Sequence, residues 1–270
     1  MSDAPAGTRS PHFTRDATAQ TYRDIQMPRI FVPWARALLE IVPPRAGDAV
    51  LDVATGPGTV ARQAALLAGP AGRVTGLDIS AAMLSVGRSW PAEAGAAPIE
   101  YLESSASSMP LPDASFDVVY CQQGMQHMSD PLAALREMGR LLKPGGRLGL
   151  ALWTQSPFGL FRQVVADFGV SGEGPRPSTF GRDAAELAST LREAGFRDVQ
   201  VQTRELAAVL ESVPQALQVA EGTSAGAAMA ALSDAQRQQV REAITRALAP
   251  FLRDGAVHLP SASNIASARK

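Results

Sequence analysis

The chain has 270 residues, 46% of them hydrophobic, with 25 basic and 26 acidic side chains and a formal net charge of -1. That length suits one large α/β domain with additions or two small domains, and the balanced charge leaves no electrostatic footprint for nucleic acid or an anionic membrane. A single cysteine, Cys121, excludes an intrachain disulfide and fits a cytoplasmic setting, and three histidines (His12, His127 and His258) are too few and too scattered for a metal site.

Residues 1–18 read as a mobile leader. Its small and polar composition has no apolar h-region, which argues against a secretory signal. No apolar run in the chain reaches the ~18–20 residues needed to span a bilayer. Residues 19–42 have a helical pattern carried by Ile25, Ile30, Phe31, Trp34, Leu38 and Leu39, which Pro28 and Pro33 are expected to break into two pieces.

Strands and helices then alternate. Residues 49–54 form a short apolar run stopped by glycines, and so a buried strand. A helix is expected over 59–68, a second strand over 73–77, and a helix opening at the N-cap Ser80. Residues 99–102 and 116–121 supply a third and a fourth strand. A helix over 130–142 has Pro131 at its first position, and 147–153 is the fifth strand. This order implies a doubly wound, Rossmann-like, mostly parallel sheet with helices on both faces.

Beyond Trp153 the rhythm changes. Helices are expected over 158–168 and 182–194, separated by a Gly/Pro-rich loop at 169–177. A strand lies within 199–210. An Ala/Gln-rich helical stretch at 216–249 is expected to break near 222–226, and 258–268 supplies a last strand. Residues 212–250 read as a helical insertion before that strand.

The strongest local feature is Asp52-Val53-Ala54-Thr55-Gly56-Pro57-Gly58, running from strand into helix. Glycines here let backbone approach a ligand closely, and the following helix presents free N–H groups. Residues 56–61 also fit the G-x-G-x-x-G/A dinucleotide pattern. Asp78, about 20 residues beyond the glycines at the end of the second strand, can accept both hydroxyls of a ribose. Asp52 can bond either the loop or a cationic ligand amine. Two nucleotide readings stay open at this point, one of them an NAD(P)-dependent oxidoreductase. Against that reading, neither Tyr101 nor Tyr120 has the lysine four residues on that a Tyr-x-x-x-Lys pair requires.

Taken together, VLDVATGPG, GLDIS, MPLPDASFDVVYC and ALREMGRLLKPGGRL, in order and spaced over residues 48–153, resemble class I S-adenosylmethionine-dependent methyltransferases. The likeness is greatest to the small-molecule branch that includes ubiquinone and menaquinone C-methyltransferases. The resemblance implies a single domain over 19–270, made of an N-terminal helical cover at 19–44, a cofactor-binding core at 45–155, and substrate-side helices and last strands at 156–270. It implies S-adenosylmethionine as cofactor, S-adenosylhomocysteine as product and no metal. The cofactor would be held by Asp52, Ala54, Thr55, Gly56, Gly58, Asp78, Ile79, Ser105, Ala106, Gln122 and Tyr22. Three departures stand out: Ala54 replaces the first loop glycine, Ser105-Ala106 replaces an acid and a small apolar residue beside adenine, and residues 122–127 replace a more apolar stretch.

Methyl transfer from a sulfonium needs chiefly alignment of nucleophile and methyl. A base helps only where the nucleophile carries a proton, and His127 is the candidate for it. Phe31, Trp34, Gln123, Trp153, Phe158 and Phe161 are expected to line a pocket for a small lipophilic or aromatic substrate. A non-methylating S-adenosylmethionine-binding protein of the same fold is the remaining alternative. Oligomeric state is not legible in the sequence.

Overall fold

A computed structural model describes residues 21–170 and 178–270. The leader expected at 1–18 and most of the Gly/Pro-rich loop lie outside these residues. Among the described residues eight strands form one sheet: β1 (Ala49–Val53), β2 (Arg73–Asp78), β3 (Ile99–Glu103), β4 (Phe116–Gln122), β5 (Leu142–Gln155), β6 (Arg197–Leu210), β7 (Leu252–Arg253) and β8 (Ala256–Arg269). Their order is β3-β2-β1-β4-β5-β8-β6, with β7 paired to β8. The first five strands are parallel, and β8 runs antiparallel to both β5 and β6.

This order positions the site. The chain moves outward from β1 to β2 and β3, then crosses back to place β4 on the other flank of β1. A ligand crevice opens at such a reversal, outside the carboxyl ends of the two central strands. Every residue of β1 is buried, because helices cover both faces of a parallel sheet.

The helices are α1 (Tyr22–Phe31), α2 (Val32–Ile41), α3 (Thr59–Ala68), α4 (Ala81–Ser89), α5 (Pro131–Leu141), α6 (Gly159–Asp167), α7 (Ala184–Glu193), α8 (Val213–Glu221), α9 (Ser224–Met229) and α10 (Asp234–Leu248). Their side chains close two apolar cores, one on each sheet face. One takes Trp34 and Leu38 of α2, Ala61 and Ala64 of α3, Phe161 of α6 and Ile244 of α10. The other takes Leu135 and Met138 of α5 with Leu187 and Leu191 of α7. The starts follow capping chemistry: Ser80 accepts from Met83 N, Asp130 from Ala133 N with Pro131 next, and Ser233 forms a capping box with Gln236.

The structure corrects the expected elements in four places. Pro28 does not break the N-terminal helix. It lies inside α1, whose wide π-type turns tolerate the missing N–H, and Pro33 sits harmlessly in the first turn of α2. The fifth strand begins at Leu142, because Leu142 already pairs with Phe116 before a register shift. The insertion is three helices rather than two, since the Ser233 capping box starts a new helix after a second break. The short strand β7 carries no pattern long enough to be read from sequence.

Candidate cofactor and acceptor site

The loop leaving β1 holds three left-handed residues, Ala54 (φ 56°), Gly56 (φ 56°) and Gly58 (φ 94°). The two glycines have different neighbours. A Cβ on Gly58 would stand 2.2 Å from the Tyr101 hydroxyl, whereas one on Gly56 would meet, among the described residues, only the Tyr22 hydroxyl at 3.8 Å. Gly58 is thus required by the protein's own packing, and Gly56 leaves room on its outer side. Gly56→Val is expected to cost about 1–2 kcal/mol in backbone strain yet leave a folded chain, while sharply weakening cofactor binding. Circular dichroism and calorimetry with S-adenosylhomocysteine check this; equal loss of fold and binding would make Gly56 a folding residue.

Ala54 occupies the first glycine position at the expense of its neighbour. A Cβ on Gly124 would lie 2.5 Å from Ala54 Cβ, so the methyl at one position requires glycine at the other.

Asp52 faces inward. Its Oδ2 accepts from Thr55 Oγ1 at 2.6 Å and from Ala61 N at 3.0 Å, so of its two possible partners it holds the loop. Thr55 therefore acts as a brace for the loop. Burial outweighs these bonds and pushes the Asp52 carboxyl up to about 7. The folded state then binds this proton more readily than the unfolded chain does. The resulting stability is fully present below the ordinary value of 3.8 and is lost as pH rises through about 7. Asp52→Asn keeps an acceptor for Thr55 and Ala61. It should therefore gain on the native protein by on the order of a few kcal/mol between pH 4 and pH 8. Denaturant midpoints across that range check it, and parallel curves would refute it.

Asp78 is the last residue of β2. Its Oδ2 accepts from Gly56 N at 2.8 Å and its Oδ1 from Ser80 N at 2.9 Å. A carboxylate offers about four lone-pair sites, more than these backbone donors take up, which leaves acceptor capacity for a ribose. Burial raises its pKa, and the backbone N–H groups of Ser80, Gly56 and Ile79 act against that rise. Ile79 is 50% exposed, unusual for a large apolar side chain, and offers a flat apolar contact beside the carboxylate. Ser105 and Ala106 lie on the same edge, half-buried after β3, where Ser104 N donates to Asp78 O at 3.0 Å. Ser105 Oγ and Ser107 Oγ are 3.0 Å apart.

Helix α1 roofs the loop. Burial raises the Tyr22 pKa, followed by the nearby charge of Asp78; a hydrogen bond with the Thr59 side chain acts the other way. Its ring stacks on Phe31 at 5.1 Å, and Phe31 meets Phe158 at 6.1 Å. These three half-buried aromatic side chains form a row beside the crevice. Gln122 Nε2 donates to Phe31 O at 3.0 Å, which ties the row to the end of β4.

The other expected wall residues separate from the row. Trp34 and Phe161 are buried core. Trp34 packs edge-on against Trp153 at 5.3 Å and donates to Ser261 Oγ at 3.2 Å. Trp153 is 9% exposed and belongs to the same core. The large apolar area of these rings is satisfied by helix–sheet packing, which periodicity cannot distinguish from a ligand wall.

Gln123 has φ 55°, is 7% exposed, and donates to Ser263 Oγ of β8 at 3.1 Å. The Oε1 atoms of Gln122 and Gln123 are buried without a hydrogen-bond partner among the described residues. Gln126, not singled out from sequence, is fully used. Its amide grips Trp153 O at 2.9 Å and Trp153 N at 3.1 Å. The signal for it was the run of polar residues over 122–127 where an apolar stretch is usual. His127 ends a short turn after β4 and is exposed, yet protein crowds it on most sides. That desolvation, and next the charge of Arg162, hold its pKa below the ordinary imidazole value, so the ring is neutral at pH 7. His258 pairs with Val209 within the sheet, and His12 lies outside the described residues.

Comparison with known proteins decides between the two nucleotide readings. Residues 21–166 match the model of the ubiE/COQ5 methyltransferase family. The chain belongs to the ubiE/COQ5 methyltransferase family. The enzyme class is therefore an S-adenosylmethionine-dependent methyltransferase, and the nicotinamide reading falls. Among its relatives, the ubiquinone/menaquinone biosynthesis C-methyltransferase of Hahella chejuensis is 37% identical over 150 residues. That match spans 53% of this chain and 60% of the relative. A demethylmenaquinone methyltransferase of Listeria monocytogenes is 36% identical over 188 residues, 64% of this chain and 79% of the relative. In fold, a SAM-dependent methyltransferase from Aquifex aeolicus superposes with a TM-score of 0.51 at 22% identity, covering 71% of this chain and 92% of that one.

The site residues fit this cofactor. Gly56 leaves open space, Asp78 has lone pairs to spare, and Gln122 Oε1 is a buried acceptor in want of a donor.

Proposed function

We propose that this chain transfers the methyl group of S-adenosylmethionine to a small lipophilic aromatic acceptor. The observation that carries the reading is the row of Tyr22, Phe31 and Phe158, half-buried and stacked beside the glycine loop. Relatives named for quinone biosynthesis support an acceptor of that kind. In this reading Asp78 takes the ribose hydroxyls, Ile79 with Ser105 and Ala106 flanks the adenine, and Gly56 and Gly58 admit the methionine portion. Ala54, Thr55 and Asp52 hold the loop in shape. Gln122 and Tyr22 close over the methyl end.

The bound cofactor supplies an already activated methyl group. The chain's task is to exclude water and hold the acceptor in line, a contribution of about 7–11 kcal/mol when geometry is good. Neutral His127 takes a proton from an acceptor that carries one. The near-neutral charge supports a small-molecule partner rather than nucleic acid. No helix among the described residues is long and apolar enough to cross a membrane, and the single cysteine supports a cytoplasmic setting. The test is incubation of the full chain with methyl-labelled S-adenosylmethionine and a panel of aromatic metabolites graded by hydrophobicity. Label is expected in lipophilic aromatic members; label confined to polar, non-aromatic acceptors would overturn the reading.

A further inference from the structure

Three basic side chains gather beyond the aromatic row, and no acid among the described residues pairs with them. Arg162 lies one turn into α6 from Phe158, and Arg162 N donates to Phe158 O at 3.2 Å. Residues four apart on a helix share a face, so the guanidinium stands on the side of α6 that carries Phe158. Arg162 is half-buried, and its side chain makes no hydrogen bond or ion pair among the described residues.

Arg182 is brought to the same place from another direction. Ser178 N donates to Gln126 O at 2.9 Å, which lays the segment before α7 over the turn that carries His127. Asn264 Nδ2 of β8 then holds Gly181 O at 2.9 Å and Arg182 O at 3.0 Å. The electrostatics agree with this placement. Burial and then the charge of Arg182 lower the pKa of Arg162, and Arg162 in turn lowers that of His127.

A partly desolvated cation without a counter-ion is unfavourable. Its burial costs free energy that only a paired anion recovers. Elsewhere in this chain, arginines at comparable depth are paired: Arg147 with Asp48, and Arg140 with Glu137 and Asp113. Arg162 departs from that pattern at the one place where its face adjoins the proposed acceptor row.

We propose that Arg162, supported by Arg182, forms an anion subsite, so that the aromatic acceptor carries an acidic oxygen such as a carboxylate. The guanidinium's planar fork matches a carboxylate through two parallel hydrogen bonds. The ring of the acceptor would lie on Phe158 and Phe31, with its acidic group held at the far end from Asp78. This inference rests on the aromatic-acceptor reading above and adds the charge of the acceptor to it.

The probes are 2-naphthoate and its neutral counterpart naphthalene-2-carboxamide, titrated by calorimetry into the full chain loaded with S-adenosylhomocysteine. The native protein is expected to bind naphthoate at least tenfold more tightly than the carboxamide, with the difference shrinking as salt rises. Arg162→Gln should abolish that preference while leaving carboxamide and S-adenosylhomocysteine affinities within about twofold. Arg162→Lys should restore part of it, which a purely structural role for Arg162 would not produce. Equal binding of the two probes to the native protein overturns the anion subsite and leaves the aromatic pocket standing. Failure of both probes to bind overturns the aromatic-acceptor reading and the subsite with it.

Discussion

Asp78→Ala is expected to lower S-adenosylhomocysteine affinity by on the order of a hundredfold or more. The variant removes a pair of charge-assisted hydrogen bonds to the ribose, each worth about 1.5–3 kcal/mol. It also releases Gly56 N and Ser80 N, the two backbone donors that the carboxylate fixes, so the loop loses its preorganised shape together with the ligand contact. Asp78→Asn keeps one acceptor oxygen but turns an NH2 toward the other backbone donor and removes the charge, and should lie between alanine and native. Because burial raises the pKa of Asp78, native affinity should fall as pH drops toward that raised value, where the carboxylate takes up a proton and becomes a poorer acceptor. Calorimetry at neutral pH checks the substitutions, and a pH series checks the sign. Unchanged affinity in the alanine variant would show that the ribose is held elsewhere.

His127→Ala is expected to lower turnover by about 10²–10⁴-fold, the usual range for a general base, with cofactor affinity nearly intact. His127 belongs to the turn after β4, whereas the residues proposed for ribose and adenine, Asp78, Ile79, Ser105 and Ala106, lie at or after the ends of β2 and β3. The native rate should fall as pH decreases through the imidazole range, because protonated histidine accepts no proton. Crowding and Arg162 depress the pKa, so the limb should lie below the ordinary histidine value. Arg162→Gln removes one of those two causes and should move the limb to higher pH. Rates at saturating acceptor over a pH series measure both. A small effect of His127→Ala with no histidine-like limb would leave positioning as the sole contribution and remove His127 from the mechanism.

The glycine loop, Asp78 and the β–α alternation were legible in sequence because each depends on short-range chemistry. Left-handed turns select glycine, an N-cap selects serine or aspartate, and a doubly covered strand is apolar throughout. The resemblance over residues 48–153 followed from these local signals in series. Element boundaries were less legible where pairing, not propensity, sets them. β5 begins at Leu142 because Phe116 is there to pair with it, and α1 passes through Pro28 because its turns are wide.

The acceptor side depended on tertiary structure. Sequence grouped Phe31, Trp34, Trp153, Phe158 and Phe161 by residue type alone. Packing graded them: Trp34, Trp153 and Phe161 fill the core against the sheet, while Phe31 and Phe158 lie half-buried on its margin and form a row with Tyr22. Gln123 reaches Ser263, 140 positions away in the chain, and Gln126 clamps Trp153; no local pattern encodes either contact. Arg162 and Arg182 come near His127 only because α6 and the segment before α7 converge on the end of β4. Sequence by itself determined the fold class and the glycine-loop and Asp78 features, whose chemistry is local backbone geometry at strand ends. Tertiary structure decided which aromatic side chains remain only half-buried, because that depends on which are left over once the core has been filled.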